Sequence, residues 1–139
     1  MKPKLSFMQS NEGFTISQDK YQPGWLMPYV HYHSYYEIYI LEYGERLVEI
    51  GDSKFHAAAH TATFFGSKIP HKSTGTSAFG GICICFEESY LDKYVTPYAK
   101  ASLLNCFKRP LLILTAEEYD KIKTIADSYM PLNLSLIHI

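Results

Sequence analysis

Short hydrophobic runs separated by turn-forming residues dominate the chain between residues 27 and 86. The runs occupy residues 35–43, 46–50, 54–58, 61–65 and 78–86. Turn chemistry between them comes from Gly44-Glu45, Gly51-Asp52 and the stretch 72–75. Short strands at intervals of about ten residues are typical of a β-sandwich or a closed barrel. Residues 36–41 are apolar on both faces, which indicates a central strand.

The pattern changes after residue 86, where helical periodicity replaces the short runs. Residues 87–95 and 98–107 predict short helices, the first of which ends before Pro97. Residues 111–114 predict a brief strand. The chain therefore divides into four segments: an N-terminal arm with a first strand (1–24), a β-barrel (25–96), a helical segment (97–131) and a tail (132–139).

A longer helix is predicted to begin at a capping box. Thr115 can cap the amide of Glu118, whose side chain can reach back to the amide of Thr115. We expect this helix to end at Pro131. One stripe of it holds the residues Tyr119, Ile122, Ile125, Ala126 and Tyr129. The stripe either packs on the barrel or forms a contact between two copies of the chain.

The tail 132–139 is apolar and has no matching partner element in the sequence. We interpret it as a truncation, frameshift or sequencing remnant, and we leave His138 out of the candidate site. A genomic read across the codons that follow Met130 tests this interpretation.

Composition and charge narrow the class of protein. Hydrophobic residues make up 47% of the 139 residues and charged residues 19%, which is typical of a globular domain. The formal charge of −1 and the lack of a basic stretch argue against direct nucleic-acid binding. The sequence shows neither an apolar run of membrane-spanning length nor a secretion signal. Cys83, Cys85 and Cys106 lack C-x-x-C spacing and are expected to be reduced thiols of a cytoplasmic protein, with Cys83 and Cys85 in the core.

Candidate chemistry is concentrated near residue 33. His31 and His33 project from the same side of an extended strand, and Glu37 follows them. His71 arrives after two further strand-like segments. Together they predict either a site for one divalent metal, such as Zn, Fe, Mn or Ni, or the polar floor of a ligand pocket. A shared metal requires a bulge or corner at Ser34-Tyr35, because four residues of straight strand span about 13 Å.

The ligand-pocket alternative brings in further side chains. Glu37, Tyr39 and Leu41 share one face of their strand. Trp25 and Tyr29, which we place at the barrel entrance, could stack on the apolar face of a sugar. A buried Glu37 needs a hydrogen-bond partner, which either nearby histidine could supply. A third alternative is that these polar residues only hold the first strand to the barrel.

The segment from His31 to Gly44 is similar to the first cupin signature. The pattern His31-x-His33-x3-Glu37-x6-Gly44 matches from the histidine pair to the closing glycine, with Gly24 one residue farther upstream than usual. His71 stands where the second cupin motif places its histidine. In that motif Lys68 replaces the usual glycine and Gly75 the usual asparagine.

Within the cupins, the chain resembles the N-terminal sensor half of AraC-type transcription regulators. The resemblance rests on the histidine motif, the barrel, the run 82–86 leading into 88–91, and the capped amphipathic helix, and it covers roughly residues 20 to 130. It implies a mainly β, cupin-like (double-stranded β-helix or jelly-roll) barrel followed by C-terminal α-helices.

The resemblance also implies a function. Such a barrel binds a small effector, often a sugar, and the following helix commonly makes a homodimer; DNA is reached only through a C-terminal helix-turn-helix domain that this chain does not contain. We therefore expect an effector-binding and dimerisation domain that is not an enzyme and needs no cofactor. Its ligand-binding residues are expected to be His31, His33, Glu37, Tyr39, His71 and Trp25. The dimer residues are expected to be those of the apolar helix stripe.

The alternative is a stand-alone metal-dependent cupin enzyme of the dioxygenase or sugar-isomerase type. It would need one divalent metal at His31, His33, Glu37 and His71. The sequence contains no nucleophile elbow and no phosphate-binding glycine loop that would favour other catalysis.

Overall fold

The computed structural model describes the backbone of residues 4–6, 12–27 and 29–138, and the side chains of residues 12–27 and 29–129. The strands are β1 (Lys4–Ser6), β2 (Phe14–Tyr21), β3 (His31–His33), β4 (Tyr36–Tyr43), β5 (Arg46–Ile50), β6 (Ser53–Ala57), β7 (Thr61–Phe65), β8 (His71–Thr74), β9 (Phe79–Phe86) and β10 (Leu111–Ile113). The helices are α1 (Glu88–Tyr94), α2 (Pro97–Asn105) and α3 (Ala116–His138), with a 3₁₀ turn at Cys106–Lys108. The predicted class, mainly β with C-terminal helices, is confirmed.

The described strands form two five-stranded sheets. The first has the order β1-β3-β8-β5-β6 and the second β10-β7-β4-β9-β2. Paired strands are antiparallel apart from β1 and β3, which are parallel. Among the described strands, the chain changes sheet at every connection except β5–β6 and β9–β10, so consecutive strands enclose a common interior.

The second sheet is covered on both faces, which explains the doubly apolar segment 36–41. Its outer face packs under the C-terminal region in a core cluster of Ile40, Ala62, Phe64, Ile82, Leu114, Tyr119 and Ala126. Its inner face contributes to a second cluster inside the barrel, formed by Val48, Ala57 and Phe65. Because side chains alternate along a strand, each central strand contributes to both clusters.

Helix α3 begins at the predicted capping box and is fastened to β2 by polar contacts. The Thr115 amide donates to Glu118 Oε1 at 2.9 Å, and the Glu118 amide donates to Thr115 Oγ1 at 3.1 Å. Farther along, the Gln18 side-chain amide donates to Asp127 Oδ1 at 2.8 Å, and Lys123 bridges the same two residues. No helix within the described residues is long and apolar enough to cross a membrane.

Two local predictions are wrong. The stretch 72–75 was expected to be a turn, but His71–Thr74 form β8, which pairs with β5 and β3. This strand is polar, so it carries no hydrophobic signal, and only its neighbours define it. The helix predicted to end at Pro131 continues to His138 through a segment rich in leucine, a strong helix former. Of the predicted arm and tail, residues 1–3, 7–11 and 139 lie outside the described residues.

Candidate functional site

The inner face of the second sheet carries the polar residues of the site. Glu37 and Tyr39 on β4 lie opposite Cys85 and Cys83 on β9, respectively. Side chains paired across antiparallel strands point to the same face. This register therefore places a carboxylate, a phenol and two thiols side by side inside the barrel.

Three histidines from the first sheet converge on the same region. His31 and His33 lie on β3, and His71 lies directly opposite His31 on β8. One ring nitrogen from each histidine lies within 4.8 Å of the others. The three rings contact one another edge to face or at a tilt, with centroids 4.2–5.9 Å apart. The predicted convergence of these histidines is thus present in the structure.

Backbone carbonyls orient two of the three rings. His33 Nδ1 donates to the Tyr35 carbonyl at 2.7 Å, and His71 Nδ1 donates to the Ile69 carbonyl at 2.9 Å. With Nδ1 used in this way, Nε2 of each ring turns to the interior. This is the arrangement by which metal-binding histidines are commonly fixed, and it fits a divalent metal.

Burial keeps His71 neutral. Desolvation lowers the pKa of His71 to about 4, although the hydrogen bond to the Ile69 carbonyl and the charge of Glu37 act to raise it. The pKa of His31 is also lowered, again mainly by burial. His71 Nε2 is buried and has no hydrogen-bond partner among the described residues. Its lone pair is therefore free to accept a proton donor or a metal ion.

Glu37 joins the histidines to the second sheet. Its Oε1 atom lies 3.1 Å from His33 Nε2, and the backbone bends at Ser34 and Tyr35, between β3 and β4. The corner required by the sequence argument is therefore present. Burial acts to raise the pKa of Glu37, but the hydrogen bond between Glu37 and His33 and the electrostatic effect of the three nearby histidines lower it by more, so the pKa lies below its usual value.

In the loop before His71, Lys68 stands where the cupin motif has a glycine. Its backbone nevertheless keeps the left-handed conformation that glycine favours. Lys68 adopts a φ of 64°, in the left-handed region. Its amide donates to the His33 carbonyl at 2.6 Å, which fastens this loop to the end of β3. The glycine at 44 is retained, with a φ of 90°, and a Cβ there would lie 2.3 Å from the Ala78 carbonyl oxygen.

A cavity of about 110 Å³ adjoins the histidines inside the barrel. Its polar lining consists of Asp19, Tyr21, Glu37, Tyr39, Arg46, Thr63, His71, Ser73 and Cys83. Its apolar lining consists of Trp25, Met27, Leu41, Val48, Ala57, Phe65 and Phe79. Four of the six predicted ligand-binding residues are among these, namely Trp25, Glu37, Tyr39 and His71. His31 and His33 contact His71 but do not line the cavity.

Two polar atoms of cavity-lining residues lack hydrogen-bond partners. The Tyr39 hydroxyl and His71 Nε2 are both buried without one among the described residues. A buried polar group that is left unpaired costs about 1–3 kcal/mol. The cavity wall therefore has unused capacity to donate through Tyr39 and to accept through His71.

Sequence reasoning missed two charged residues of the cavity, Arg46 and Asp19. Arg46 is only 2% exposed, and its guanidinium donates to Ser73 Oγ and to the carbonyls of Ser73 and Trp25, all of which are uncharged. It also lies 4.1 Å from the centroid of the Phe79 ring. The alternation along β5 is a signal that could have found Arg46, because positions 46 and 48 point inward while Leu47 is exposed. Asp19 carries no comparable signal.

Trp25 lies at the rim of the cavity, as predicted. It is 39% exposed, and its ring packs on Tyr21 with centroids 4.6 Å apart. Its carbonyl accepts the hydrogen bond from Arg46 at 3.1 Å. The rim is thus an aromatic surface anchored to a buried cation.

The predicted dimer stripe divides into two sets. Tyr119 and Ala126 are 5% and 0% exposed, and Ile122 packs against the same core of the chain's own barrel. Tyr119 and Ala126 are therefore core residues, which corrects their predicted role in a dimer. Ile125 is 67% exposed, and Tyr129 is partly exposed beside Phe14. A dimer contact through α3 stays a prediction for this second pair.

Comparisons with known proteins identify the fold. The Cnp3 cupin domain of Schizosaccharomyces pombe matches with a TM-score of 0.53 and 10% identity, covering 67% of this chain and 71% of that one. A cupin superfamily protein from Desulfitobacterium hafniense matches with a TM-score of 0.51 and 18% identity, covering 58% and 72%. A conserved protein of unknown function from Streptococcus pyogenes matches with a TM-score of 0.52 and 13% identity, covering 60% and 80%. No family model matches the chain, and no curated protein matches it in sequence.

These likenesses, with the two sheets and the enclosed cavity, define the class: the chain folds as a cupin-like β-barrel domain followed by helices.

Proposed function

We propose that this domain binds a small polar metabolite in its barrel and acts as the sensing and dimerisation half of an AraC-type transcription regulator. The observation that carries the proposal is the cavity wall with unmet hydrogen-bonding capacity at Tyr39 and His71. The Tyr119 hydroxyl is also unpaired among the described residues, but Tyr119 belongs to the other core cluster and does not line the cavity. A ligand that pairs both recovers the cost of their burial.

The lining favours a polyhydroxylated ligand such as a sugar. Glu37 and Asp19 offer acceptors, and Tyr39 and Arg46 offer donors, all within one cavity. The Trp25 ring at the rim supplies an apolar face on which the C–H groups of a sugar can stack. The small cavity volume limits the enclosed part of the ligand to one small molecule.

Strand β4 lines the cavity with one face and packs in the same core cluster as helix α3 with the other. On β4, Glu37 and Tyr39 face the cavity, whereas Ile38 and Ile40 pack in the cluster that contains the α3 residues Tyr119 and Ala126. A ligand that favours one position of β4 therefore shifts the population of α3 positions. In the proposed regulator, α3 joins two copies, and DNA is read by a helix-turn-helix domain outside this sequence.

Thermal unfolding with a panel of pentoses, hexoses and sugar acids tests the proposal. We expect at least one compound to raise the Tm of the wild-type chain and to have little effect on Glu37→Gln and Tyr39→Phe. Glu49→Gln is the matched control, because Glu49 pairs with Lys54 on the outside of the barrel and should leave the ligand effect intact. A panel without any effect, or an equal effect in both cavity variants, contradicts the proposal.

A second candidate function is a metal-dependent cupin enzyme, and the histidine cluster favours it. His31, His33 and His71, together with Glu37, would hold the metal, since their donor atoms already converge. The metal would supply Lewis-acid activation of a bound substrate or water. The chain's own contribution is to orient the rings through the Tyr35 and Ile69 carbonyls and to exclude bulk water.

Metal analysis of the purified chain separates the two functions. Stoichiometric Zn, Fe, Mn or Ni that is lost in His31→Ala and His71→Ala, but kept in the exposed control His56→Ala, favours the enzyme. A purified chain without metal that responds to a sugar favours the sensor.

A further inference from the structure

Two cysteines of the second sheet form a donor cluster with Glu37, the residue that also contacts His33 of the histidine cluster. Cys83 and Cys85 project from the same face of β9, and their Sγ atoms lie 3.7 Å apart. One carboxylate oxygen of Glu37 and the two sulfurs all lie within 4.8 Å of one another. This cluster was expected to be ordinary core, yet it places three metal-binding atoms around one point.

The separation of the two sulfurs matches a tetrahedral metal site. Bonds of about 2.3 Å to each sulfur at a tetrahedral angle put the sulfurs about 3.8 Å apart. The observed 3.7 Å therefore needs almost no rearrangement of Cys83 and Cys85. Packed thiols also meet at about this distance, so the carboxylate beside the two sulfurs is what distinguishes this cluster from a pair of core cysteines.

The surroundings also suit a metal ion. Cys83 and Glu37 both line the cavity, so an ion can enter and a fourth ligand can approach from that side. Glu37 is oriented by its contact with His33, as ligating carboxylates usually are by an outer hydrogen bond.

We propose that Cys83, Cys85 and Glu37 form a binding site for a thiophilic divalent metal ion of the zinc type. Two metal–sulfur bonds form as two thiol protons leave to solvent, and Glu37 contributes one oxygen. The fourth position opens to the cavity. This site shares Glu37 with the proposed ligand pocket and with the histidine cluster, and it differs from that cluster in its two sulfur donors, which β9 supplies.

Titration of the reduced, chelator-treated chain with Cd²⁺ tests the site, since sulfur-to-metal charge transfer absorbs in the near ultraviolet and imidazole ligation does not. The parent is Cys106→Ser, which removes the exposed thiol on the helical side of the chain. We expect a band that saturates at one Cd²⁺ per chain. In this parent, the further changes Cys83→Ser and Cys85→Ser should weaken Cd²⁺ binding at least about 100-fold. Mutating a residue that only supports a metal ligand costs up to about that much, and these changes remove two ligands themselves. His71→Ala in the same parent should keep the band.

A measurement on the wild-type chain makes the test independent of the folding of the variants. Iodoacetamide labelling followed by mass spectrometry should show that Zn²⁺ protects Cys83 and leaves the labelling of Cys106 unchanged. The proposal is overturned if no band appears with Cd²⁺, if the band survives the double serine change, if it disappears in His71→Ala, or if Zn²⁺ leaves Cys83 labelling unchanged.

Discussion

His33 and Glu37 belong to strands of different sheets, yet Nε2 of the histidine lies 3.1 Å from Oε1 of the glutamate. The corner at Ser34 and Tyr35 brings them together, and His33 Nδ1 is held at the same time by the Tyr35 carbonyl. The pair therefore links the two walls of the barrel at the floor of the cavity.

Loss of the Glu37 carboxylate should destabilise the fold, and more so when the new side chain offers no hydrogen-bond partner to His33. Glu37→Ala leaves His33 Nε2 without its partner in a buried site, and we expect a loss of about 2–3 kcal/mol in the free energy of unfolding. Glu37→Gln keeps an acceptor oxygen and should cost less than half as much. Urea unfolding followed by circular dichroism measures both, with Glu49→Ala, which removes only a surface ion pair, as the control. Equal costs for the alanine and glutamine variants contradict this view of the pair.

Removal of the Tyr39 hydroxyl should stabilise the ligand-free chain, whereas loss of the Glu37 carboxylate should destabilise it. That hydroxyl is buried without a partner among the described residues, so Tyr39→Phe in the ligand-free chain should raise stability by up to about 1 kcal/mol. Tyr36→Phe is the matched control, because its hydroxyl contacts Glu88 at the surface and its loss should be neutral or slightly destabilising. The Tm of each variant provides the measurement. A clear loss of stability in Tyr39→Phe would show that the hydroxyl is already satisfied in the ligand-free protein.

Lys68→Gly should stabilise the loop that precedes His71. A non-glycine residue in the left-handed region lowers stability by about 1–2 kcal/mol, and Lys68→Gly removes this strain. Part of the gain is offset because glycine has greater conformational freedom in the unfolded chain. We expect a net increase of about 0.5–1 kcal/mol in urea unfolding. Lys72→Gly, at a position within β8, should instead lower stability. A destabilised Lys68→Gly variant would mean that the lysine side chain contributes more than its backbone conformation costs.

The capping box at the start of α3 should contribute to acid sensitivity. The hydrogen bond from the Thr115 amide lowers the pKa of Glu118 below the usual glutamate value. A lowered pKa means that the stability it provides is present above the unfolded value, about 4.3, and is lost as the pH falls through the folded value. Glu118→Gln should therefore flatten the stability profile between about pH 5 and pH 3. A slope that is unchanged in Glu118→Gln rejects the role of the box.

The exposed part of the α3 stripe gives the test of dimerisation. If two copies associate through this face, Ile125→Glu should shift sedimentation from dimer to monomer and leave the circular dichroism spectrum of the fold unchanged, because Ile125 is outside the core. Tyr98→Glu changes a well exposed aromatic residue on α2 and should leave the mass unchanged. A wild-type chain that sediments as a monomer, or an Ile125→Glu chain that stays dimeric, removes α3 from the interface.

The sequence predicted most strands and the convergence of the site because both depend on local spacing. Histidines at i and i+2 must share a strand face, and the doubly apolar pattern of β4 reflects its two covered sides. The bounds of β5 and β7 are also as predicted. These features need no knowledge of distant residues.

The predictions that were wrong or missing concern residues whose contacts lie far away in the sequence. β8 is polar and is defined by its pairing with β5, so its own residues resemble a turn. The stripe on α3 shows which side chains are apolar, but not that the barrel covers Tyr119 and Ala126 while leaving Ile125 exposed. Asp19 reaches the cavity because β2 pairs with β9, a contact between opposite ends of the barrel sequence.

The alternation along β4 makes this strand unusually intolerant of length changes. Even-numbered residues such as Ile38 and Ile40 pack in the core cluster that includes α3, and odd-numbered residues such as Glu37 and Tyr39 form the cavity wall. Inserting or deleting one residue reverses the two roles beyond that point, so isoleucines would replace the carboxylate and phenol while these would be forced beneath α3. A single-residue indel in β4 would thus damage both layers at once, whereas a substitution at any one position changes only one of them.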